Sequence, residues 1–446
     1  MKRRTFLSTL ATTGAALAAS RRVSAEATTK PATVAIIGCG WFGPLVYDAF
    51  AKYFDVTCIA LCDPDTTALA KTGEMIARHQ KAVPRTFADF REMLAAAVPE
   101  IALISTPDHW HALPAIAAMQ AGADVILEKP ISHDVIEGEA IVAAARKYKR
   151  VVQVNLQRRS TRCLAEARDR YLRSGRIGKL AMVETYSYLH GRSAAPVPES
   201  APPTTLDYDL WTGPAPLLPY RAVRWRNFAE YGNGQIGDLG VHMIDTVRWM
   251  LDLGWPESIA STGGVLVDTD ASATIPDTQR SVFRYPGLEL TWEHRTWGAA
   301  PIPSRHWTDL WGARFLGSAG TLRLSIFGYE FIPADGGPRE GFTMLSKSGD
   351  LENIDGDLQP AALEEIHRDH LADFMRARVT RQDPISGVEQ GHISSAACIL
   401  ANLALQLGRP LAYDPATRTI PGDAEATRAL TRAYRAPWIH PDPTRV

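Results

Sequence analysis

Three groups of residues have the types and spacing to do chemistry. The first is Glu128-Lys129-Pro130, which directly follows the apolar run Val125-Ile126-Leu127. A lysine just past the carboxyl end of a strand stands where ligands bind in open α/β sheets. Its ammonium group can hydrogen-bond a reacting hydroxyl and polarise the carbonyl that forms from it. The second is the pair Asp238 and His242, four apart in a stretch with a helical pattern over 236–251, so the two share one face. The third is Gly38-Cys39-Gly40-Trp41-Phe42-Gly43, a G-x-G-x-x-G turn followed 20 residues after Gly43 by Asp63. Each has an inert reading too: a solvated lysine, a helical pair that satisfies itself, a purely structural glycine turn.

The glycine turn is informative because of its setting. It follows the apolar run Val34-Ala35-Ile36-Ile37 and opens a helical stretch. Gly38 permits the tight turn, Gly40 lets backbone approach a pyrophosphate, and Gly43 allows close helix–strand packing. The helix start offers free N–H groups and the positive dipole end to phosphates. Asp63 ends the second apolar run, placed to accept from the ribose hydroxyls and to repel a 2′-phosphate. NAD is therefore expected, with NADP open because a neighbouring basic residue could override the carboxylate.

The elements that must position these groups alternate. Strand-like runs lie at 34–37, 56–61, 101–105, 125–127 and 151–154. Helical text lies between them, for example at 88–97, 111–121 and 135–148. That alternation predicts a parallel sheet with helices on both faces. Asn155 follows the last of these strands and is expected to face the nicotinamide; Gln157, Arg158 and Arg159 come next and are expected to meet the substrate.

Composition excludes other classes. The 446 residues are 46% hydrophobic and 22% charged, ordinary values for a globular chain. No run of about 18 apolar residues occurs, so no stable membrane span is expected. Residues 1–25 carry five basic groups and no acid, which leaves 43 basic against 49 acidic residues in the remainder. A body of that sign has no general pull on polyphosphate, and no nucleic-acid partner is expected. The five cysteines include no C-x-x-C pair; Cys39, Cys58 and Cys62 sit in apolar text as reduced, buried side chains. His367 and His370 share a helix face with no third ligand nearby, and no metal site is expected.

The start of the chain has its own pattern. Lys2-Arg3-Arg4-Thr5-Phe6-Leu7, a weakly apolar stretch and Val23-Ser24-Ala25 together read as a signal peptide over 1–25 of the twin-arginine type. The expected location is periplasmic or exported, with the twin-arginine export machinery as a partner. That route moves folded proteins, which suits unpaired cysteines.

Four segments together resemble the Gfo/Idh/MocA oxidoreductases, the family of glucose–fructose oxidoreductase and inositol dehydrogenase. They are the glycine turn, Thr106-Pro107-Asp108-His109-Trp110-His111, Glu128-Lys129-Pro130, and Gly237-Asp238-Leu239-Gly240-Val241-His242-Met243-Ile244-Asp245. The resemblance runs from about Thr33 to the C-terminus, and the ending Arg435-Ala436-Pro437-Trp438 is similar to an exported branch. It implies an α/β chain with two parts: a Rossmann domain over 31–154 and an α/β domain over 155–446. The second would carry a large, mainly antiparallel open sheet that often serves as an oligomer interface, in a homodimer or homotetramer, with late helices packing back on the first. Material for that sheet lies at 181–189, 258–267, 280–285, 288–295 and 321–326. The proline-dense stretch 196–219 would be a loop over the substrate.

The resemblance also assigns roles. Lys129 and His242 would be catalytic, with His242 the proton acceptor, and Asp238 would grip a neighbouring hydroxyl or orient the substrate. Gly38, Gly40, Trp41, Phe42, Gly43, Asp63, Thr106, Pro107, His111, Glu128, Lys129 and Asn155 would hold the cofactor. Arg158, Arg159, Asp238, His242 and Asp245 would meet a sugar, glycoside or polyol, although Asp245 has an equal structural reading. Outside the cytoplasm no free nicotinamide pool exists, so the cofactor is expected to stay tightly bound and be recycled in each cycle. Two routes fit: oxidation of one substrate coupled to reduction of another, and redox-neutral glycoside hydrolysis by oxidation, elimination, hydration and reduction. A third class, a non-catalytic sugar-binding protein on this scaffold, predicts a missing lysine or histidine.

Overall fold

The computed structural model describes residues 30–302, 304, 306–346, 348–349, 351 and 360–446. The expected signal peptide lies outside the described residues.

The first half builds β1 (Ala32–Ile37), α1 (Phe42–Tyr53), β2 (Val56–Cys62), α2 (Thr66–Ile76), β3 (Arg85–Phe87), α3 (Phe90–Ala96), β4 (Ile101–Ile104), α4 (Ala112–Ala121), β5 (Asp124–Leu127), α5 (Val135–Tyr148) and β6 (Val152–Val154). The strands form one parallel sheet in the order β3-β2-β1-β4-β5-β6. Every residue of β4 and β5 is buried, which explains why these strands are continuous apolar runs rather than alternating ones. Side-chain caps start the helices: Asp65 for α2, Asp89 for α3, and Asp134 with Glu137 as a reciprocal box for α5. Strand order reverses between β1 and β4, which opens a crevice at their carboxyl ends.

The second half starts with α6 (Arg162–Ala167), β7 (Leu180–Ser187), α7 (Tyr208–Thr212) and α8 (Val241–Leu251). It continues with β8 (Ser258–Gly264), β9 (Thr278–Tyr285), β10 (Leu288–Arg295), β11 (Trp311–Gly317), β12 (Gly320–Ser325), β13 (Gly328–Pro333) and β14 (Glu340–Thr343). Last come α9 (Pro360–Thr380), α10 (Val388–Leu407) and α11 (Ala424–Ala429). Its eight strands run in the order β14-β13-β12-β11-β7-β10-β9-β8, all antiparallel except the parallel pair β7 and β10. One face turns Val183, Phe283, Leu290, Trp292, Phe315 and Leu322 into the core. The other carries cross-strand ion pairs, Arg314 with Glu184 and Arg280 with Glu293. The alternation in burial along β9 and β10 is the signature of such a one-sided sheet.

Two late helices bind the sheets together. α9 lies against α1 and the turn Gln157–Ser160, and α10 lies against α5, α8 and β8. Contact is close: a Cβ at Gly391 of α10 would stand 2.4 Å from the Val154 side chain in β6. All five cysteines are buried free thiols. No helix among the described residues is long and apolar enough to cross a membrane.

Candidate active site

The glycine turn sits at the end of β1. Gly38 has φ +94°, and a Cβ there would fall 2.5 Å from the Ser105 carbonyl carbon. A Cβ on Gly43 would fall 2.5 Å from the Gly38 carbonyl oxygen. Gly40 differs, since its Cβ would meet nothing within 4 Å. Two glycines are thus demanded by packing, whereas the middle one leaves backbone open to a ligand. Trp41 precedes α1 as its N-cap and makes no side-chain capping bond, so the first N–H groups of the helix remain available. Asp63 accepts from the N–H of Cys39 (2.7 Å) and of Asp65 (2.9 Å), which ties the end of β2 to the turn. Burial raises its carboxyl to about 6. The buried Thr106 hydroxyl has no partner, and Thr106 and Pro107 line the same crevice as Gly38 and Asp63. This donor set fits a dinucleotide: an open cradle for pyrophosphate beside a carboxylate for ribose. Trp41 projects at the rim, 71% exposed, and Phe42 meets the His367 ring edge-on at 6.2 Å.

The helix expected over 236–251 begins as a wide π turn, Ile236–Gly240, that runs directly into α8. Such a turn loosens the backbone ladder, and these turns cluster at functional sites. Here two of its carbonyls take outside donors: Asp238 from the Lys129 ammonium (2.6 Å), Leu239 from the Trp311 indole (3.1 Å). Lys129 Nζ also donates to Asp238 Oδ1 (2.7 Å). An ammonium has three protons, so one remains for a ligand. Arg226 approaches the same oxygen at 3.3 Å. Burial opposes the Asp238 charge, but Lys129 and Arg226 outweigh it and hold the carboxyl well below its usual range.

His242 is buried, lies edge-on to Trp311 (5.5 Å between ring centres), and its Nδ1 has no partner. Burial, then the charges of Lys129 and Arg158, push its imidazole well below the ordinary value, so the ring is neutral at pH 7 and can accept a proton. Asp238 and His242 do not satisfy each other; Asp238 Oδ1 is held by two cations, and His242 Nδ1 is left without a partner.

The Lys129–Pro130 peptide is cis. Glu128 accepts from the Asn155 side-chain amide, and burial raises its carboxyl to about 7. The His111 ring lies between the carbonyls of Pro130 (2.6 Å) and Thr106 (2.9 Å). Burial lowers it to about 4, so it is neutral and donates to one of them. It joins the two loops, and although His111 is the N-cap residue of α4 its side chain makes no capping bond.

Arg158 is buried between the rings of Trp311 and Phe327, and its Nε and one Nη have no partner. Burial lowers even this guanidinium, to about 10. Arg159 and Asp245 are placed differently. They form a buried two-pronged ion pair, with both N···O distances 2.8 Å, and Ser394 also donates to Asp245. Their polar atoms are held by each other, by Ser394 and by the Ile385 carbonyl, which joins the 157–160 turn to α8 and α10. His370 bonds Ser160 (2.8 Å), and His367 meets Phe42.

The sequence reading missed two groups. Asp108 is buried beside the Arg226, Lys129 and Asp238 charges; burial raises it to about 7, and it accepts from the Asn233 N–H (3.2 Å). It lies inside the quoted Thr-Pro-Asp-His-Trp-His segment, so its position was visible and its role was not. Arg226 comes from a single 3₁₀ turn, Trp225–Asn227, too short for any spacing to mark it. The stretch 196–219, expected as a loop over the substrate, contains α7, and Leu210 and Trp211 of α7 line the crevice with Gly38 and Asp63.

Comparison with known proteins agrees with this geometry. An oxidoreductase-family model for the NAD-binding Rossmann fold matches residues 32–156. The model of that family's C-terminal alpha/beta domain matches 180–289 and 350–440. The chain belongs to the Gfo/Idh/MocA oxidoreductase family. Among Gfo/Idh/MocA relatives, a D-apiose dehydrogenase of Paraburkholderia graminis is 28% identical over 233 residues, 52% of this chain and 53% of that protein. A glycosyl hydrolase family 109 protein of Stenotrophomonas maltophilia is 34% identical over 134 residues, 28% of this chain and 29% of that protein. The chain thus spans about half, or less, of these curated relatives. A levoglucosan dehydrogenase solved with NADH and levoglucosan superposes with TM-score 0.64 at 18% identity, covering 86% of this chain and 99% of that one. At that identity the match shows the shared fold.

Proposed function

We propose that the chain is an NAD-dependent oxidoreductase that acts on a CH–OH group of a sugar, glycoside or polyol. One observation carries this reading. A neutral, buried histidine with an unpartnered nitrogen stands beside a lysine whose remaining N–H is free, next to a cradle that fits a dinucleotide. Bound NAD would supply the hydride acceptor. Lys129, fixed by Asp238, would donate to the reacting oxygen and stabilise the charge that develops there. His242 would take the hydroxyl proton. The second carboxylate oxygen of Asp238 remains to accept from a neighbouring hydroxyl. Arg158 offers buried, unused N–H groups to a third.

Dehydrogenases acting on apiose and levoglucosan stand among the relatives and support a sugar-class substrate. The family 109 relatives favour a second reading, redox-neutral hydrolysis of a glycoside. The experiment is to incubate purified protein with free sugars and with aryl glycosides. Oxidised or reduced sugar supports oxidoreduction. Aglycone release without net NADH supports hydrolysis. Sugar binding with neither product contradicts both and leaves a non-catalytic binder.

The reading extends to the cell. The arginine pair near the start supports export through the twin-arginine route, with NAD retained and recycled. Outside a nicotinamide pool, an enzyme that released its cofactor would stop after one turnover. Fractionation of cells, with and without Arg3 and Arg4 replaced by lysine, tests the export. A homodimer or homotetramer, joined through the eight-stranded sheet, is the assembly that the family likeness supports, and sedimentation tests it.

A further inference from the structure

The crevice at the carboxyl ends of β1, β2 and β4 is lined by Gly38, Asp63, Thr106 and Pro107 on one side and by Leu210 and Trp211 on the other. The latter two belong to α7, a short helix inserted between β7 and α8, far along the chain from the dinucleotide turn. This segment is fastened at both ends. Before the helix, Asp207 N–H donates to the Pro64 carbonyl (3.0 Å) and Thr66 N–H to the Thr205 carbonyl (3.0 Å), immediately after Asp63. At its end, the Trp211 carbonyl accepts from the Trp110 indole (2.7 Å). Gly213 has φ +52°, and a Cβ there would overlap the Trp110 ring at 2.0 Å, so the exit is shaped to that ring.

The far end of the chain then closes over the helix. The Arg435 guanidinium donates to Asp209 Oδ1 (2.6 Å), to the Asp209 carbonyl (2.7 Å) and to the Gly213 carbonyl (3.0 Å). Trp438 packs edge-on against Trp110 at 4.7 Å, and Arg91 stacks on Trp438 at 4.5 Å. These contacts hold α7 against the crevice that Asp63 lines.

We propose that α7, latched by Arg435, is the roof of the adenosine subsite, and that it makes a bound pyridine dinucleotide a retained group. This rests on the dinucleotide reading of the glycine turn and adds residues from the second half to it. Release is slowed because opening breaks three guanidinium hydrogen bonds together with apolar packing.

The test uses the whole chain loaded with isotopically labelled NAD, diluted into excess unlabelled NAD, with bound label followed over time. Arg435→Ala should release label at least about tenfold faster than the unaltered chain, since a hydrogen bond to a charged group contributes more than that factor, and Trp211→Ala, which removes apolar packing over the crevice, should release it several-fold faster. Trp307→Ala, at an exposed site in the second half, should release at the unaltered rate. Hydrogen exchange of the unaltered chain gives a readout that needs no variant: amides of 207–213 should slow when NAD is added. Release within about twofold of the unaltered chain in both variants, or exchange at 207–213 indifferent to NAD, overturns the roof and leaves the cofactor reading standing. No uptake of NAD by the unaltered chain overturns both.

Discussion

His242 and Lys129 differ in what they can give. The histidine is neutral and open at Nδ1; the lysine is paired with Asp238 and can only donate. His242→Gln should lower kcat about 10²- to 10⁴-fold, the range for a positioned proton acceptor, while NAD still binds. Stopped-flow turnover and a nucleotide titration separate the two effects. Asp63 gives a pH prediction. Its carboxyl is raised to about 6 in the free protein, and a neutral carboxyl accepts ribose hydroxyls poorly. NAD affinity should be full above that value and weaken as pH falls through it, by about tenfold per unit at the limit. Asp63→Asn should bind weakly at every pH. At this scale motifs were legible where backbone geometry forces residue type. Gly38, Gly43 and Lys129 stand where their spacing put them. The pairing of Arg159 with Asp245 could not be read, because spacing places a residue on a face but does not say which charge lies opposite. Arg226 was invisible for the converse reason, since its role depends on where one short 3₁₀ turn lies in space.

The glycine turn makes a prediction about an element. Gly40→Ala adds a methyl group where nothing stands within 4 Å, so the melting temperature should hold while NAD affinity falls at least about tenfold, the bulk lying where pyrophosphate must approach. Gly43→Ala adds it 2.5 Å from a backbone oxygen, which shifts α1 and should lower both. Equal behaviour of the two variants in calorimetry and in titration would contradict this division. The long buried strands and the helices between them were legible from continuous apolar runs. β3, with three residues and two of them exposed, gave no such run. β11, β13 and β14 were missed because glycine, charged and aromatic residues mix there without a simple polar period. The π turn was also illegible, since a 3.6-residue pattern continues through it; Lys129 and Trp311 donate to two of its carbonyls.

The two halves are held together through buried charge. Arg159 and Asp245, 5% and 1% exposed in their side chains, join the turn after β6 to α8 and α10. Removing one partner strands the other without water, at a cost of about 3–5 kcal/mol. Asp245→Asn should therefore lower the unfolding midpoint in denaturant. A fully stable variant that loses only substrate affinity would instead return Asp245 to the substrate site. The two-sheet architecture was legible as a whole from alternation in the first half and family motifs in the second. The closing of α7 and the C-terminal tail over the first sheet was not, because contacts between residues more than 200 apart leave no local pattern. The central claim is that Lys129 and His242 work on a sugar hydroxyl beside bound NAD. It is tested most directly by mixing NAD-loaded protein with candidate sugars and glycosides and following the absorbance of reduced nicotinamide within one turnover. The account predicts a rise with the unaltered chain and none with Lys129→Met, although that variant still holds NAD. An undiminished rise in Lys129→Met would contradict it.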